Sequence, residues 1–439
     1  MDSCDIAVVG GGAAGMLAAA MAAESGARVV LLERNDTCGK KLRITGKGRC
    51  NITNDCTVSE ALESITTGGR FLQSAMNAFS PRDAMKLFES LSVPLKTERG
   101  FRVFPKSDNA GDVVGALQGY MKRTGVTVRH ERARRVTAAD GVVTGVTTSV
   151  TTSGTTSGTT SGTTGGGDIK CGKVILATGG ASYPGTGSTG DGYEMANALG
   201  HRITPLRGSL VQLEVSEPDT CGKMKGLTLK NVRLSLHSED KKPLFEDLGE
   251  LLFTHFGLSG PLALSASAHM RDFSGKGYHI IIDMKPGLDE KKLDLRVLRD
   301  FEKYANRSFA NALGDLLSKS MIPVIVEKSG IPASAKVHSI TREQRLRLIG
   351  LIKSLRFDIT GLRPVEEAII TSGGVDLREI NPKTMESKLV KGLYFAGEVI
   401  DADAYTGGFN LQIAWSTAYA AAHGALQETH SRAAAGDTL

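Results

Sequence analysis

Residues 5–15 constrain the fold of this chain more than any other stretch. Residues 5–9 (DIAVV) read as a buried strand, residues 13–25 as an Ala-rich helix, and residues 28–33 (RVVLLE) as a second strand, which together make one βαβ unit. Between the first strand and the helix, Gly10-Gly11-Gly12-Ala13-Ala14-Gly15 satisfies G-x-G-x-x-G. Gly10 allows the tight turn, Gly12 lets a pyrophosphate approach the backbone, and Gly15 lets the helix pack on the sheet. The helix N-terminus offers free N–H groups and positive dipole to phosphates. Glu33 ends the second strand, where an acid receives ribose hydroxyls, and an acid there argues for FAD or NAD over NADP.

A second match, Gly185-Thr186-Gly187-Ser188-Thr189-Gly190, lacks that setting. It stands several residues past the strand at 173–178, and no acid-ended strand follows. It reads as a loop closing over a cofactor bound elsewhere. The chain therefore shows one complete dinucleotide site and no second one for resident NAD(P)H.

At 439 residues the chain exceeds the size at which single cores stop growing, so more than one domain is expected. Residues 200–359 differ in texture from both flanks, with half-exposed strand patterns at 209–215, 227–237 and 278–284 and helical patterns at 290–319 and 341–355. Residues 393–396 (LYFA) then read as a short buried strand and 410–427 as a final helix. The expected division is 1–199 and 360–439 as one domain, interrupted by 200–359 with a helical lobe at about 287–355. The segment 34–56 looks too irregular for a regular element. The TTSG unit recurs at 151–162, in a tract that cannot bury a core and reads as a mobile loop on a hairpin tip.

The net charge of +6 is small for this length. Its basic residues look scattered, and the tightest group (Arg129, Arg132, Arg134 and Arg135) reads as an exposed strand edge, so no nucleic-acid partner is expected. The six cysteines form no CxxC pair and no zinc spacing, so no metal site is expected and a reducing cytoplasm fits. Residues 6–23 carry no charge, but Asp2, Asp5 and the glycine triplet argue against a membrane segment.

Several further blocks carry a resemblance. GKKLRITGKGRCNITN (39–54), ATGGASYPGTGSTGDGYEMA (177–196), LFTHFGLSGP (252–261) and the long block 371–422 are similar, in the same order, to those of the BaiN/YhiN-like family of NAD(P)/FAD-dependent oxidoreductases, the aminoacetone-oxidase-like flavoproteins. The TTSG tract departs from the family pattern at a place where a loop insertion is harmless. The resemblance implies an α/β fold: a Rossmann-like, two-dinucleotide-binding-type FAD domain interrupted by a β-barrel-like domain with a helical lobe. It implies FAD as cofactor, with NAD(P)H as a possible transient donor and a small-molecule substrate. It assigns phosphate and ribose contacts to Gly10, Gly12, Ala13, Ala14, Gly15, Glu33 and Arg34. Lys40, Lys41, Gly46, Arg49, Cys50 and Asn51 are expected along the pyrophosphate and flavin, with a main-chain adenine contact near Arg134 and Thr178, Gly179 and Gly180 behind the cofactor. Gly397, Glu398 and Asp401 follow a strand, where a carboxylate can take a ribityl hydroxyl. Gly373 and Gly374 are expected close to the ring. Gly408, Phe409, Asn410 and Leu411 open the last helix toward the flavin pyrimidine edge, where its dipole would stabilise charge on the reduced ring.

No catalytic acid or base is legible. His255, Cys50 and Tyr405 are the candidates, and each has a plain structural alternative: a hydrogen-bonded histidine, a small residue buried beside the cofactor, and a packed tyrosine. The reading is an FAD oxidoreductase passing hydride from NAD(P)H to an organic acceptor, or oxidising a small amine or similar substrate. Alternatives are a flavin- and folate-dependent tRNA methyltransferase, a fumarate-reductase-like enzyme suggested by TGDG (189–192), and a flavin-binding protein without turnover.

Overall fold

The computed structural model describes residues 2–149, 167–238, 242–273 and 277–436. The TTSG tract lies outside them; the strands on either side of it, Val142–Ser149 and Asp168–Lys170, pair antiparallel. The chain divides into two compact units, one made of residues 1–209 and 365–439 and the other of residues 210–364.

The first unit is built on a five-stranded parallel sheet. Its strands are β1 (Ile6–Val9), β2 (Val29–Leu32), β3 (Thr127–Arg129), β4 (Lys173–Leu176) and β5 (Leu393–Phe395), in the order β5-β4-β1-β2-β3. The strands IAVV, VVLL, KVIL and LYF are almost wholly buried, as the continuous apolar runs of a sheet covered on both faces require. Helix α1 (Ala13–Glu24) packs against the C-terminal helix α2 (Phe409–Gly436). The turn after β5 also lies against α1, where a Cβ on Gly397 would be 2.9 Å from that of Ala14. The two ends of the chain thus meet at one sheet, β4 joining N-terminal β1 to C-terminal β5.

A second, four-stranded sheet ends on Arg132–Ala139. This is the expected exposed strand edge, and its charge is partly neutralised. Arg129 is paired with Asp2 and Glu131, and Arg132 with Asp191.

The second unit is a closed, antiparallel six-stranded barrel (Leu213–Val215, Gly257–Ser259, Phe245–Phe253, Thr228–His237, Tyr278–Asp283 and Leu355–Leu362, in that order) with a helical lobe. Strand Tyr278–Asp283 alternates buried and half-buried residues, the period of two that a barrel wall imposes. Lobe helices Glu290–Lys303, Ile322–Ser329 and Arg342–Lys353 share the barrel's core through Leu293, Val297, Ile325 and Leu348.

The structure differs from the sequence reading in several elements, helix Ala110–Thr124 and strand Leu355–Leu362 among them. Strand Phe245–Phe253 is masked by Glu246, Asp247 and Glu250, which its largely exposed first half tolerates. Helix Ile322–Ser329 was missed between the two expected helical stretches. Lys40–Gly48 is helical but broken at Thr45–Lys47, where Gly46 and Lys47 take positive φ.

The charge is also less scattered than it looked. Residues 287–355 carry 13 Lys and Arg against 8 Asp and Glu, so +5 of the chain's +6 belongs to the helical lobe.

Candidate functional site

The glycine turn is held by two steric demands and one opening. A Cβ on Gly10, whose φ is 103°, would lie 2.4 Å from the Ala177 carbonyl oxygen, and one on Gly15 would lie 1.8 Å from that of Gly10. Packing alone requires both glycines. A Cβ on Gly12 would meet nothing within 4 Å, and no side chain caps the N-terminus of α1 there. The open space above Gly12 and the uncapped amides of Ala13, Ala14 and Gly15 form the place for an anion. Glu33, 7% exposed, holds the rim: Oε2 accepts the Gly11 N–H at 2.8 Å, and Oε1 accepts the backbone and side-chain N–H groups of Asn35 at 2.8 and 2.6 Å. Oε2, with one bond, retains accepting capacity for a hydroxyl.

The second glycine match folds onto this rim. Asn35 Nδ2 donates to the Thr186 carbonyl, and Arg34 Nη1 donates to Thr189 Oγ1 (2.6 Å) and Asp191 Oδ2 (3.3 Å). Burial alone would raise the Asp191 carboxyl. Arg132, donating to both its oxygens at 2.8 and 2.9 Å, and Thr189 instead hold it below the ordinary carboxylate range. A carboxyl depressed in the folded state stabilises fully above its unfolded pKa, and that stability is lost as pH falls through the acid range. Replacing Arg132 with leucine is expected to make stability fall less between about pH 5 and about pH 2.5. Urea midpoints of both proteins at the two pH values measure this, and parallel losses would reject the role.

The basic segment 39–51 divides its side chains. Lys40 pairs with Asp36 at 2.9 Å. Lys41 Nζ donates to Ser182 Oγ and Glu398 Oε2, both at 2.7 Å, joining the N-terminal segment to the loop after β5. Arg49 departs from expectation: two carboxylates, Glu98 and Asp108, hold its guanidinium, which lies 4.1 Å over the Phe104 ring rather than free for a pyrophosphate. Arg134 donates to Ser149 Oγ on the sheet edge. Asn51 stands apart, because its amide Oδ1 is fully buried and accepts no hydrogen bond among the described residues.

Residues 371–374 (TSGG) are fastened by a row of acids that sequence reading only half saw. Glu398 Oε1 accepts the Thr371 N–H (2.8 Å), and Thr371 Oγ1 accepts the N–H groups of Ala181 and Ser182. Burial raises the Asp401 carboxyl above the usual range, against the opposing pull of the nearby Thr204 hydroxyl and Arg207. Asp403 was not foreseen. It is fully buried and accepts from Thr66 Oγ1 (2.9 Å), Ser209 Oγ (2.8 Å) and Ser372 Oγ (3.0 Å), while Arg207 donates to the Ser372 hydroxyl at 2.7 Å. The available signal was an aspartate between Ala402 and Ala404, where a free charge would be costly. The acids expected to meet ribityl hydroxyls thus also brace the backbone. Gly373 and Gly374 owe their lack of side chains to protein backbone: a Cβ would lie 2.3 Å from the Pro205 oxygen and 2.7 Å from the Val399 oxygen. Gly180 and its neighbours Thr178 and Gly179 follow β4, and a Cβ on Gly180 would meet Thr371 Oγ1 at 2.3 Å.

Helix α2 begins against the N-terminal segment. A Cβ on Gly408 would lie 2.4 Å from the Thr53 backbone, and Asn410 bonds the backbone of Ala404 with both ends of its amide. The first intrahelical bond runs from the Gln412 N–H to the Gly408 carbonyl, so the amides of Phe409, Asn410 and Leu411 lie ahead of it.

The catalytic candidates separate. Complete burial pushes the Cys50 thiol up to about 12, so it stays protonated at neutral pH. His255 is exposed, its ring edge-on to Phe256 in the turn between two barrel strands. Tyr405 is half-buried between Asp403 and the glycines that open α2.

An uncapped helix over open backbone, a buried acid at the rim of the glycine turn and an orphaned buried amide oxygen fit FAD. The βαβ fold and this site define an FAD-dependent oxidoreductase. The chain belongs to the family described as HI0933-like protein Rossmann domain, whose model matches residues 4–424. It is 29% identical over 96% of its length to a 3-dehydro-bile acid delta(4,6)-reductase of Clostridium scindens, of which 99% is covered. It is 30% identical, over 96% of this chain and 98% of the relative, to a ribosomal RNA dihydrouridine synthase of Escherichia coli. In fold it is similar to 3-ketosteroid delta1-dehydrogenase from Sterolibacterium denitrificans, with TM-score 0.52 and 13% identity over 97% of this chain and 100% of that one. Among the described residues, no helix is long and apolar enough to cross a membrane.

Proposed function

We propose that this enzyme reduces a carbon–carbon double bond conjugated to a carbonyl, with NAD(P)H as the source of hydride. The observation that carries this is full-length similarity to two relatives whose names share that chemistry. A delta(4,6)-reductase of a 3-oxo steroid saturates double bonds in line with the ketone. Forming dihydrouridine saturates the uracil double bond next to a ring carbonyl. In both, hydride enters the far carbon of a double bond conjugated to the carbonyl (the β carbon, or the δ carbon for the remote bond of a diene), and a proton reaches the carbon nearer the carbonyl. Bound FAD supplies the hydride chemistry. The chain supplies the anion site over Gly12, the ribose acid Glu33, and the braced segment 371–374 beside the N-terminus of α2. The Cys50 thiol, held neutral by burial, serves as packing rather than as a redox partner.

Mixing the purified yellow protein with NADH or NADPH without oxygen is expected to bleach its visible band. Adding a 3-oxo-4,6-diene steroid is then expected to restore it, with a saturated product. Absence of bleaching with both donors would remove NAD(P)H from the reading, and an unchanged steroid beside a normal bleach would remove that acceptor. The charge of the helical lobe favours a second reading, in which the acceptor is a uridine of ribosomal RNA. That reading requires RNA binding that weakens steeply with salt, and dihydrouridine in RNA recovered from the reaction.

A further inference from the structure

Among the described residues, one buried side-chain polar atom is left without a partner, and its place in the fold says what it awaits. The amide Oδ1 of Asn51 is fully buried and accepts no hydrogen bond. Folded proteins keep few such atoms, because burial removes the water that would otherwise satisfy them. The residues after Asn51 are clasped to the first turns of α2. The Ile52 carbonyl accepts the Trp415 indole N–H at 2.9 Å, and the Thr53 hydroxyl donates to Gln412 Oε1 at 2.7 Å. The backbone of Gly408 lies against Thr53 so closely that a Cβ would overlap it. A lone acceptor therefore stands close to the N-terminal end of α2, where the amides of Phe409, Asn410 and Leu411 precede the first intrahelical bond.

We propose that Asn51 Oδ1 accepts the imide N3–H of the flavin ring, with the amides at the head of α2 donating to the adjoining ring carbonyl. The proposal rests on FAD being the bound cofactor. The outer edge of the isoalloxazine pyrimidine presents acceptor, donor and acceptor in a row, and a single acceptor beside a cluster of donors is its complement. The other permanent N–H group of FAD is the adenine amine. It belongs to the far end of the molecule, beyond the ribose that Glu33 receives. The ring N–H formed on reduction is absent in the oxidised state and lies beyond the second carbonyl. Cys50, at φ 59°, turns the chain immediately before Asn51. Its complete burial leaves Asn51 as the polar group presented at this corner.

The test is binding of FAD and of its N3-methyl analogue to apoprotein, followed by flavin fluorescence. The natural protein is expected to bind the methylated form at least about tenfold more weakly. Asn51→Ala is expected to bind the two within about twofold of each other. Asn51→Asp, which keeps an acceptor and has no donor, is expected to retain the discrimination and to make the flavin harder to reduce in a redox titration. Equal binding of the two flavins by the natural protein would overturn the proposal, as would discrimination surviving in Asn51→Ala. Loss of FAD binding in Asn51→Asp would assign the amide as donor and overturn it as well. If Asn51→Ala does not fold, the natural protein and Asn51→Asp still decide. A natural apoprotein that binds neither flavin would instead sink the FAD reading.

Discussion

Replacing Gly12 with glutamate is expected to leave the fold intact and to lower FAD affinity on the order of a thousandfold, about 4 kcal/mol. Both halves of the expectation come from one geometric fact. Gly12 has φ −81° and ψ −166°, extended backbone that any residue adopts, and a Cβ there would meet nothing within 4 Å. The folded protein therefore has no steric reason to object, and a substitution into open space costs within about 0.5 kcal/mol. The same open space is where the pyrophosphate must lie, against the uncapped N-terminus of α1. A glutamate side chain fills it and places its own carboxylate in the field that would attract the phosphates. Thermal unfolding of the apoprotein and the visible spectrum after incubation with FAD measure the two effects separately. Gly15→Ala is the contrast, because its Cβ would lie 1.8 Å from the Gly10 oxygen and the turn itself could not close. A yellow Gly12→Glu protein would remove the anion site from this turn.

The second large effect is expected at Asp403. Changing it to alanine should cost about 3 kcal/mol, because the hydroxyls of Thr66, Ser209 and Ser372 lose their common acceptor in a place water does not reach. In a unit of this size that corresponds to a fall in Tm of roughly 6–12 °C. The loss should extend beyond stability. Ser372 adjoins Gly373 and Gly374, the second of which exchanges hydrogen bonds with Thr204, so releasing it loosens the segment expected beside the flavin. Bound FAD should become more exposed to solvent, read as weaker quenching of its fluorescence. Asp403→Asn keeps one acceptor oxygen and should fall between the two. An Asp403→Ala protein with unchanged Tm would show that the three hydroxyls find other partners.

The contrast between Gly12 and Asp403 marks how far the sequence can be read. Gly12 was legible because its neighbours in the chain are its neighbours in space: a strand, a three-residue turn and a helix follow each other directly, and Glu33 is one short crossover away. Periodicity likewise exposed β1, β2, β4, β5 and α2, since parallel strands buried on both faces must be continuously apolar. Strand Phe245–Phe253 escaped because its first half lies open to solvent on both faces and accepts charge, which erases the alternation. Asp403 escaped for a different reason. Its three partners come from residues 66, 209 and 372, and no local pattern announces that three distant hydroxyls converge on one carboxylate.

The basic segment 39–51 shows the same division within a dozen residues. Its cations were read as a group facing a pyrophosphate. Tertiary contacts assigned them separately, Lys41 to Glu398 and Arg49 to Glu98 and Asp108, since a guanidinium between two carboxylates gains more than one reaching into solvent.

The sequence by itself determined the βαβ unit, the glycine turn at 10–15 with Glu33 beside it, and membership of a flavoprotein family, all of which depend on residues adjacent in the chain or on long blocks in fixed order. Only the tertiary structure decided which cations are spent on carboxylates, why Gly373 and Gly374 must be glycines, that Asp403 is braced in the core, and that one amide oxygen at Asn51 is left waiting. Those depend on partners tens to hundreds of residues apart, and a partner's position in space is set by the packing of the whole sheet rather than by any local run of amino acids.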